Sequence, residues 1–324
     1  ASVDGRATNE DGIVSFTLTP GESKNLTVPD GVKLVLGLEK ESLAVSSEYT
    51  LTASADNKSF TIDKVERDGT VTFIPGICKI TDSDGNVLYD SNGKPAVYGK
   101  LSDAFTAYAG TLYTDASHAT VAAQAAVKML VDEYTIQQSA ALTFPNKTMT
   151  LTTAGKTDTD FPYMGERDRS TIYRASNGVD NSCFILSSAA NTPGTVTLTG
   201  IILDGGSERG VKVNDGKNGA LINVTGAGAT LNISTGATLR NVEYKAYTSN
   251  ANGGAVYMTN GTLNVNAGLF SNLHAYQGGA ICVTGGTLNV TGTAGSTQFE
   301  DCRSEKQDGG AIYYNSAKDL LIDG

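Results

Sequence analysis

Three near-copies of one phrase occupy the second half of this chain. GGAVYMTNGTLNV runs from Gly253 to Val265, GGAICVTGGTLNV from Gly278 to Val290, and GGAIYYNSAKDLLI opens at Gly309. The alanines of the motif, Ala255, Ala280 and Ala311, stand 25 and 31 residues apart. The TLN strands open at Thr230, Thr262 and Thr287, spaced by 32 and 25. Another short strand recurs between them, as TLRNV from Thr238, LFSNL from Leu269 and QFEDC from Gln298. A self-similar period of this size marks a solenoid, in which one unit cannot bury its apolar face until the next stacks on it. Three short strands per unit predict one turn of a parallel β-helix, with equivalent residues about 4.8 Å apart along the axis.

That reading assigns side chains. Strand alternation puts Leu231, Leu263 and Leu288 in one inward ladder, Val256, Ile281 and Ile312 in a second, and Val242, Leu273 and Cys302 in a third. Leu239, Phe270 and Phe299 join the interior if a bend separates them from the third ladder. The neighbours Tyr257, Cys282 and Tyr313 then point outward. The glycine pairs 253–254, 278–279 and 309–310 share one corner, where a positive φ suits glycine alone. Length differences fall in loops, such as YKAYTSNAN from Tyr244 and SEKQD from Ser304. Composition agrees: 37 glycines and only 18% charged residues suit short strands and tight turns rather than helices.

The first half reads differently. Residues 1–75 are short alternating segments punctuated by Gly, Asp, Asn and Pro, which predicts a small antiparallel β-sandwich. Residues 76–324 form the parallel β-helix, with a cap over about 76–150 and repeats over about 150–324. KLSDAFTAYAG, from Lys100, is the best helix: Ser102 caps it, Asp103 favours its positive end and Gly110 ends it. Leu101, Phe105 and Tyr108 share one stripe of that helix, which predicts a plug for the open end of a solenoid. AVKMLVDEYTI and KTMTLTTAG follow as strands. The chain starts without Met and stops inside a repeat, so it reads as a C-terminally truncated piece of a longer protein. The fold class expected is therefore all-β: a right-handed single-stranded parallel β-helix with a short capping helix, preceded by the sandwich.

The GGA-I/V repeats, with TVTLTGIILDGG before them, resemble those of pectin-lyase-like β-helix proteins of bacterial cell surfaces, including GGAI-repeat autotransporter adhesins. The likeness covers about residues 76–324. FSNL and FEDC depart from the autotransporters' F-x-x-N partner motif, so that particular family is not assigned. GIVSFTLTPGESKNLTVPDGVKLVLGLEKE, from Gly12, resembles the collagen-adhesin B-type stalk domains of Gram-positive surface proteins. Some of those form a Lys–Asn isopeptide bond assisted by a Glu. Glu39 sits near that position, but no strand supplying the Lys is recognisable.

A formal charge of -10 argues against nucleic acid or an anionic membrane surface as partner. Sugar lyases and hydrolases need clustered carboxylates with a basic group. Between Thr225 and Thr297 the only charged residues are Arg240, Glu243 and Lys245. Two stretches are richer: Asp158, Asp160, Glu166, Arg167, Asp168 and Arg169, and then Asp204, Glu208, Arg209, Lys212, Asp215 and Lys217. Stacked coils can bring them together as a cleft, or they are two solvated loops. Tyr244, Tyr247 and Tyr276 fall in or near loops and suit weak glycan or protein contacts. His118 and His274 have no partner at metal spacing and read as surface residues. The Asp82–Gly85 segment is half a calcium loop without its terminal Glu, hence a turn. The cysteines Cys78, Cys183, Cys282 and Cys302 lack metal spacing; a Cys282–Cys302 disulfide is one option, isolated thiols the other.

No catalytic residue, metal ligand or cofactor is assigned from this, and the binding residues stay unidentified. The expectation is an extracellular, non-catalytic adhesin or stalk segment displaying loops on a rigid rod. Its partners are then host or neighbouring-cell glycans or proteins, with no nucleic acid and no direct membrane insertion. The alternatives are a polysaccharide lyase or glycoside hydrolase of the pectin-lyase-like fold, and a spacer without ligand.

Overall fold

The computed structural model describes residues 77–136, 140–154, 169–176, 180–293 and 295–323 with their side chains, and the backbone of short strands within 1–75. Glu39 and residues 155–168, with Asp158, Asp160, Glu166, Arg167 and Asp168, lie outside the described residues. The chain divides into two compact units, Ala1–Ala122 and Ala123–Gly324.

The first unit is antiparallel. Gly69–Pro75 lies between Glu22–Leu26 and Ser42–Val45, and Ser59–Ile62 lies between Leu34–Gly37 and Thr52–Ala53. Cys78–Thr81 pairs with Val97–Tyr98, and the helix Leu101–Ala109 packs against both strands. Leu101, Ala104, Phe105 and Tyr108 are its buried stripe. Its N-cap is Lys100, with no side-chain cap, so the Ser102 assignment is corrected. Ser102 is already inside the first turn, where its hydroxyl turns to Asp103 Oδ1 at 3.2 Å. The Asp82 carboxylate accepts the amides of Asp84 and Asn86, which makes the 82–86 segment a turn.

The second unit is built of three sheets of parallel strands in which each strand pairs with the one three further along the chain. This is the arrangement of a parallel β-helix. The first sheet contains Ala126–Met129, Met149–Thr153, Gly194–Leu198, Ala229–Ile233, Thr262–Val265, Thr287–Thr291 and Leu320–Asp323. The second runs Glu133–Thr135, Ser170–Tyr173, Ile201–Asp204, Thr238–Val242, Gly268–Ala275 and Thr297–Ser304. The third runs Leu142–Thr143, Phe184–Leu186, Ile222–Val224, Val256–Met258, Ile281–Val283 and Ile312–Tyr314. Among the described residues six coils result, numbered 1 to 6 below, with Leu320–Asp323 following them.

The predicted ladders are the observed registers. Leu231, Leu263 and Leu288 stack, as do Val256, Ile281 and Ile312. Val242, Leu273 and Cys302 stack beyond a bend from Leu239, Phe270 and Phe299. The bend is made by Asn241, Asn272 and Asp301, with φ of 61°, 50° and 45°. Asn and Asp are the non-glycine residues that tolerate this left-handed region best. Phe270 and Phe299 stack at 4.9 Å, and Phe144 on Phe184 at 5.0 Å, as a coil repeat of about 4.8 Å requires. At the glycine corner, the first residue of each pair has positive φ: 62° at Gly253, 58° at Gly278 and 78° at Gly309. Among the described residues, no helix is long and apolar enough to cross a membrane.

Candidate binding face on the second sheet

The second sheet carries a cluster of charged residues. Tyr173, Asp204, Arg240, Ser271 and Glu300 share one register before the bend. Beyond the bend, His274 pairs with Arg303, Glu243 precedes them in coil 4, and Lys212 reaches Glu243 from coil 3.

The carboxylate of Asp204 is fully engaged. The residue is 2% exposed, and it accepts hydrogen bonds from the Gly206 amide at 2.8 Å, Arg240 Nε at 2.8 Å and Asn241 Nδ2 at 2.9 Å. A buried charge is tolerable only with such partners. Arg209 lies 3.4 Å over the Tyr173 ring and pairs with Glu133 at 3.0 Å, while the Tyr173 hydroxyl donates to Glu133 at 3.3 Å. Lys212 pairs with Glu243 at 2.6 Å. Lys245 donates to Asn214 Oδ1 at 2.6 Å, and Asn214 Nδ2 to Asp180 at 2.8 Å. Arg169 reaches across to coil 4, donating to the Gly236 carbonyl at 2.7 Å and Thr238 Oγ1 at 3.0 Å. Glu208, Asp215 and Lys217 are exposed on the loop. Of the described residues that the sequence nominated, Asp204, Arg209 and Lys212 are each engaged with a residue of another coil, and Asp204 and Arg209 both act electrostatically on Tyr173. Asp204 and Arg209 share no hydrogen-bond partner among the described residues: Asp204 turns to Arg240 and Asn241, and Arg209 to Glu133. Among the described residues no group of three His, Cys, Asp or Glu side chains is placed to hold a metal.

A second cluster lies in coils 4 to 6. His274, read from the sequence as a surface residue, is 8% exposed, which corrects that expectation. Arg303 Nη2 donates to its Nδ1 at 3.3 Å, Glu305 Oε1 lies 4.0 Å from Nδ1, and Asp301 Oδ2 lies 3.4 Å from Nε2. These partners belong to the next coil, so spacing within one coil concealed them. Aligning LFSNLHA with QFEDCRS sets Arg303 opposite His274; the register of the repeat was the signal. Tyr247 stands half-buried beside the cluster. Burial pushes its hydroxyl up to about 12, and Glu243 and Glu305 add to this while Arg303 opposes it. His118, by contrast, sits on a turn, with Nε2 3.0 Å from the Asp90 carbonyl oxygen.

The remaining candidates separate clearly. Tyr257, Cys282 and Tyr313 share one register on the outer side of the third sheet, but Cys282 is covered there. Tyr244 is buried, against the expectation of a loop-exposed ring, and packs 6.2 Å from Tyr247. Tyr276 is half-buried. All four cysteines are free thiols, which corrects the disulfide option. Cys302 lines the interior behind the second sheet, whereas Cys282 faces out of the third, so their sulfurs point in unrelated directions. No family model matches this chain, and neither the curated proteins nor the solved structures contain a significant match.

Proposed function

We propose that this chain is a non-catalytic segment of a bacterial cell-surface adhesin or stalk, which displays loops on a rigid, right-handed, single-stranded β-helix. In this reading the protein is extracellular and of Gram-positive type, the helix Leu101–Ala109 belongs to a cap, and the ligands are glycans or proteins of a host or neighbouring cell. Its likeness to pectin-lyase-like surface repeats belongs to the same proposal. One observation carries it. The charges on the second sheet are spent between coils: Asp204 on Arg240, Glu133 on Arg209, Glu243 on Lys212. Such pairs brace a rod, while the half-exposed Tyr247 and the loops around it vary from coil to coil, where binding surfaces ordinarily lie.

The test is a glycan array and whole-cell binding assay run beside a polysaccharide-degradation screen, with Arg209→Ala as the companion variant. Binding without release of reducing or unsaturated ends is expected. Release of such ends by the native chain, abolished in Arg209→Ala, would overturn the proposal in favour of a lyase or hydrolase.

A further inference from the structure

Four consecutive coils present the same kind of grid on the outer side of the first sheet. Thr195, Thr230, Thr262 and Thr287 share one register, and Thr197, Asn232, Asn264 and Asn289 share the register two residues further on. The residues between them, Val196, Leu231, Leu263 and Leu288, are buried, so strand alternation turns both columns outward. All eight outward residues are half-buried, and none is charged. Asn289 Nδ2 donates to Asn264 Oδ1 at 2.8 Å, Asn264 Nδ2 to Asn232 Oδ1 at 2.8 Å, and Asn232 Nδ2 to Thr197 Oγ1 at 3.1 Å, which holds each amide in one orientation. Each amide keeps a second N–H and a second lone pair to offer outward. Among the described residues, the four Thr hydroxyls of the other column meet no hydrogen-bond partner, and none of them is enclosed.

The result is an ordered, uncharged array of groups that each donate and accept. Strand geometry sets its sides at about 4.8 Å from coil to coil and about 6.6 Å between alternate residues of one strand. A soluble ligand is held in a concave site by a few converging polar groups. Here the groups stand side by side and repeat, so only a partner with the same repeat engages every coil. Solid water is such a partner. On the prism face of hexagonal ice the oxygens form a rectangle of comparable sides, and each oxygen donates and accepts as these hydroxyls and amides do. Two columns lie across the strands, so a mismatch in that direction does not accumulate. The lack of charge fits the same partner, because an ammonium or carboxylate is strongly hydrated and draws nearby water out of lattice order. We infer that the outer side of the first sheet, over coils 3 to 6, is an ice-binding face on which the Thr hydroxyls and Asn amides hold water in lattice positions. This goes beyond the adhesin reading and does not rest on it.

The experiment follows thermal hysteresis, crystal shape and ice recrystallisation in solutions of the whole chain. Thr230→Tyr and Thr262→Tyr each place a large ring in the middle of the grid. Thr143→Tyr places the same ring at an exposed position of the third sheet, as the control. The native chain is expected to facet growing crystals and suppress recrystallisation, and a fluorescently labelled chain should collect on the prism faces of a single crystal. Thr230→Tyr and Thr262→Tyr should lose most of each effect with unchanged urea midpoints, while Thr143→Tyr keeps all of it. Thr262→Ser, which removes only a methyl group, should lose part of the effect and decides the matter if the Tyr variants fail to fold. A native chain that leaves ice growth unaltered overturns the inference, and the adhesin reading is then decided separately by the whole-cell assay. Retention on crystalline cellulose or chitin without any effect on ice also overturns it and would assign the grid to an ordered polysaccharide. Equal losses in Thr143→Tyr and Thr262→Tyr overturn it as well, since the effect would not belong to the first sheet.

Discussion

A β-carbon at Gly279 would lie 2.3 Å from the Arg303 amide nitrogen and 2.6 Å from the Gly310 carbonyl oxygen. Both are backbone atoms of the next coil, which cannot yield without breaking the ladder. At the equivalent Gly310 the same carbon meets nothing within 4 Å. The second glycine of the motif is therefore required by the coil stacked upon it and not by its own conformation, whereas the first, at φ of 58° in Gly278, is required by conformation. Gly279→Ala should lower stability by about 1–3 kcal/mol, the range of an overpacked contact, and Gly310→Ala should stay within about 0.5 kcal/mol. Urea midpoints of the two variants decide it. Equal losses would mean that chain entropy, not close approach, keeps glycine at this position.

At the scale of the strand, the repeated TLN phrase makes a column of amides on the outer side of the first sheet. Asn232 Nδ2 donates to Thr197 Oγ1 at 3.1 Å, Asn264 Nδ2 to Asn232 Oδ1 at 2.8 Å, and Asn289 Nδ2 to Asn264 Oδ1 at 2.8 Å. Asn264 holds two of these bonds and Asn289 one. Asn264→Ala is expected to cost about 1–3 kcal/mol and Asn289→Ala about half of that, since each net bond contributes about 0.5–1.5 kcal/mol. Chemical denaturation of both single variants and of the pair should show non-additivity, because they share a bond. The period of this column was legible: identical letters at Asn264 and Asn289 imply identical places. The inner ladders and the bend before Leu273 were legible for the same reason. The pairing of Asp204 with Arg240 was not, because Asp204 sits in LDGG, before the repeats become self-similar. His274 was hidden because its partners lie 27 to 31 residues later, at Asp301, Arg303 and Glu305, where only the stacking register brings them near.

Across the second unit, stacking six coils buries groups that ionise by losing a proton. Burial raises the Cys282 and Cys302 thiols from 9.0 to about 12, raises Cys183 as well, and raises the Tyr247 hydroxyl from 10.0 to about 12. Tyr244, wholly enclosed, is raised too. All these shifts have one sign: the folded chain holds its protons more tightly than the unfolded chain does. The stability they supply is complete below the unfolded values, near pH 9 for the thiols, and drains away as pH climbs toward the folded values. Under reducing conditions the urea midpoint should therefore be flat through neutral pH and fall steadily from about pH 9 to about pH 12. The double variant Cys282→Ala, Cys302→Ala should start lower, having lost packing, yet decline less steeply, since two of the protons released on unfolding are gone. An unchanged slope in that variant would assign the alkaline loss to the tyrosines, and a midpoint independent of pH over the whole interval would mean that the coils open enough for these thiols to ionise while the ladders persist.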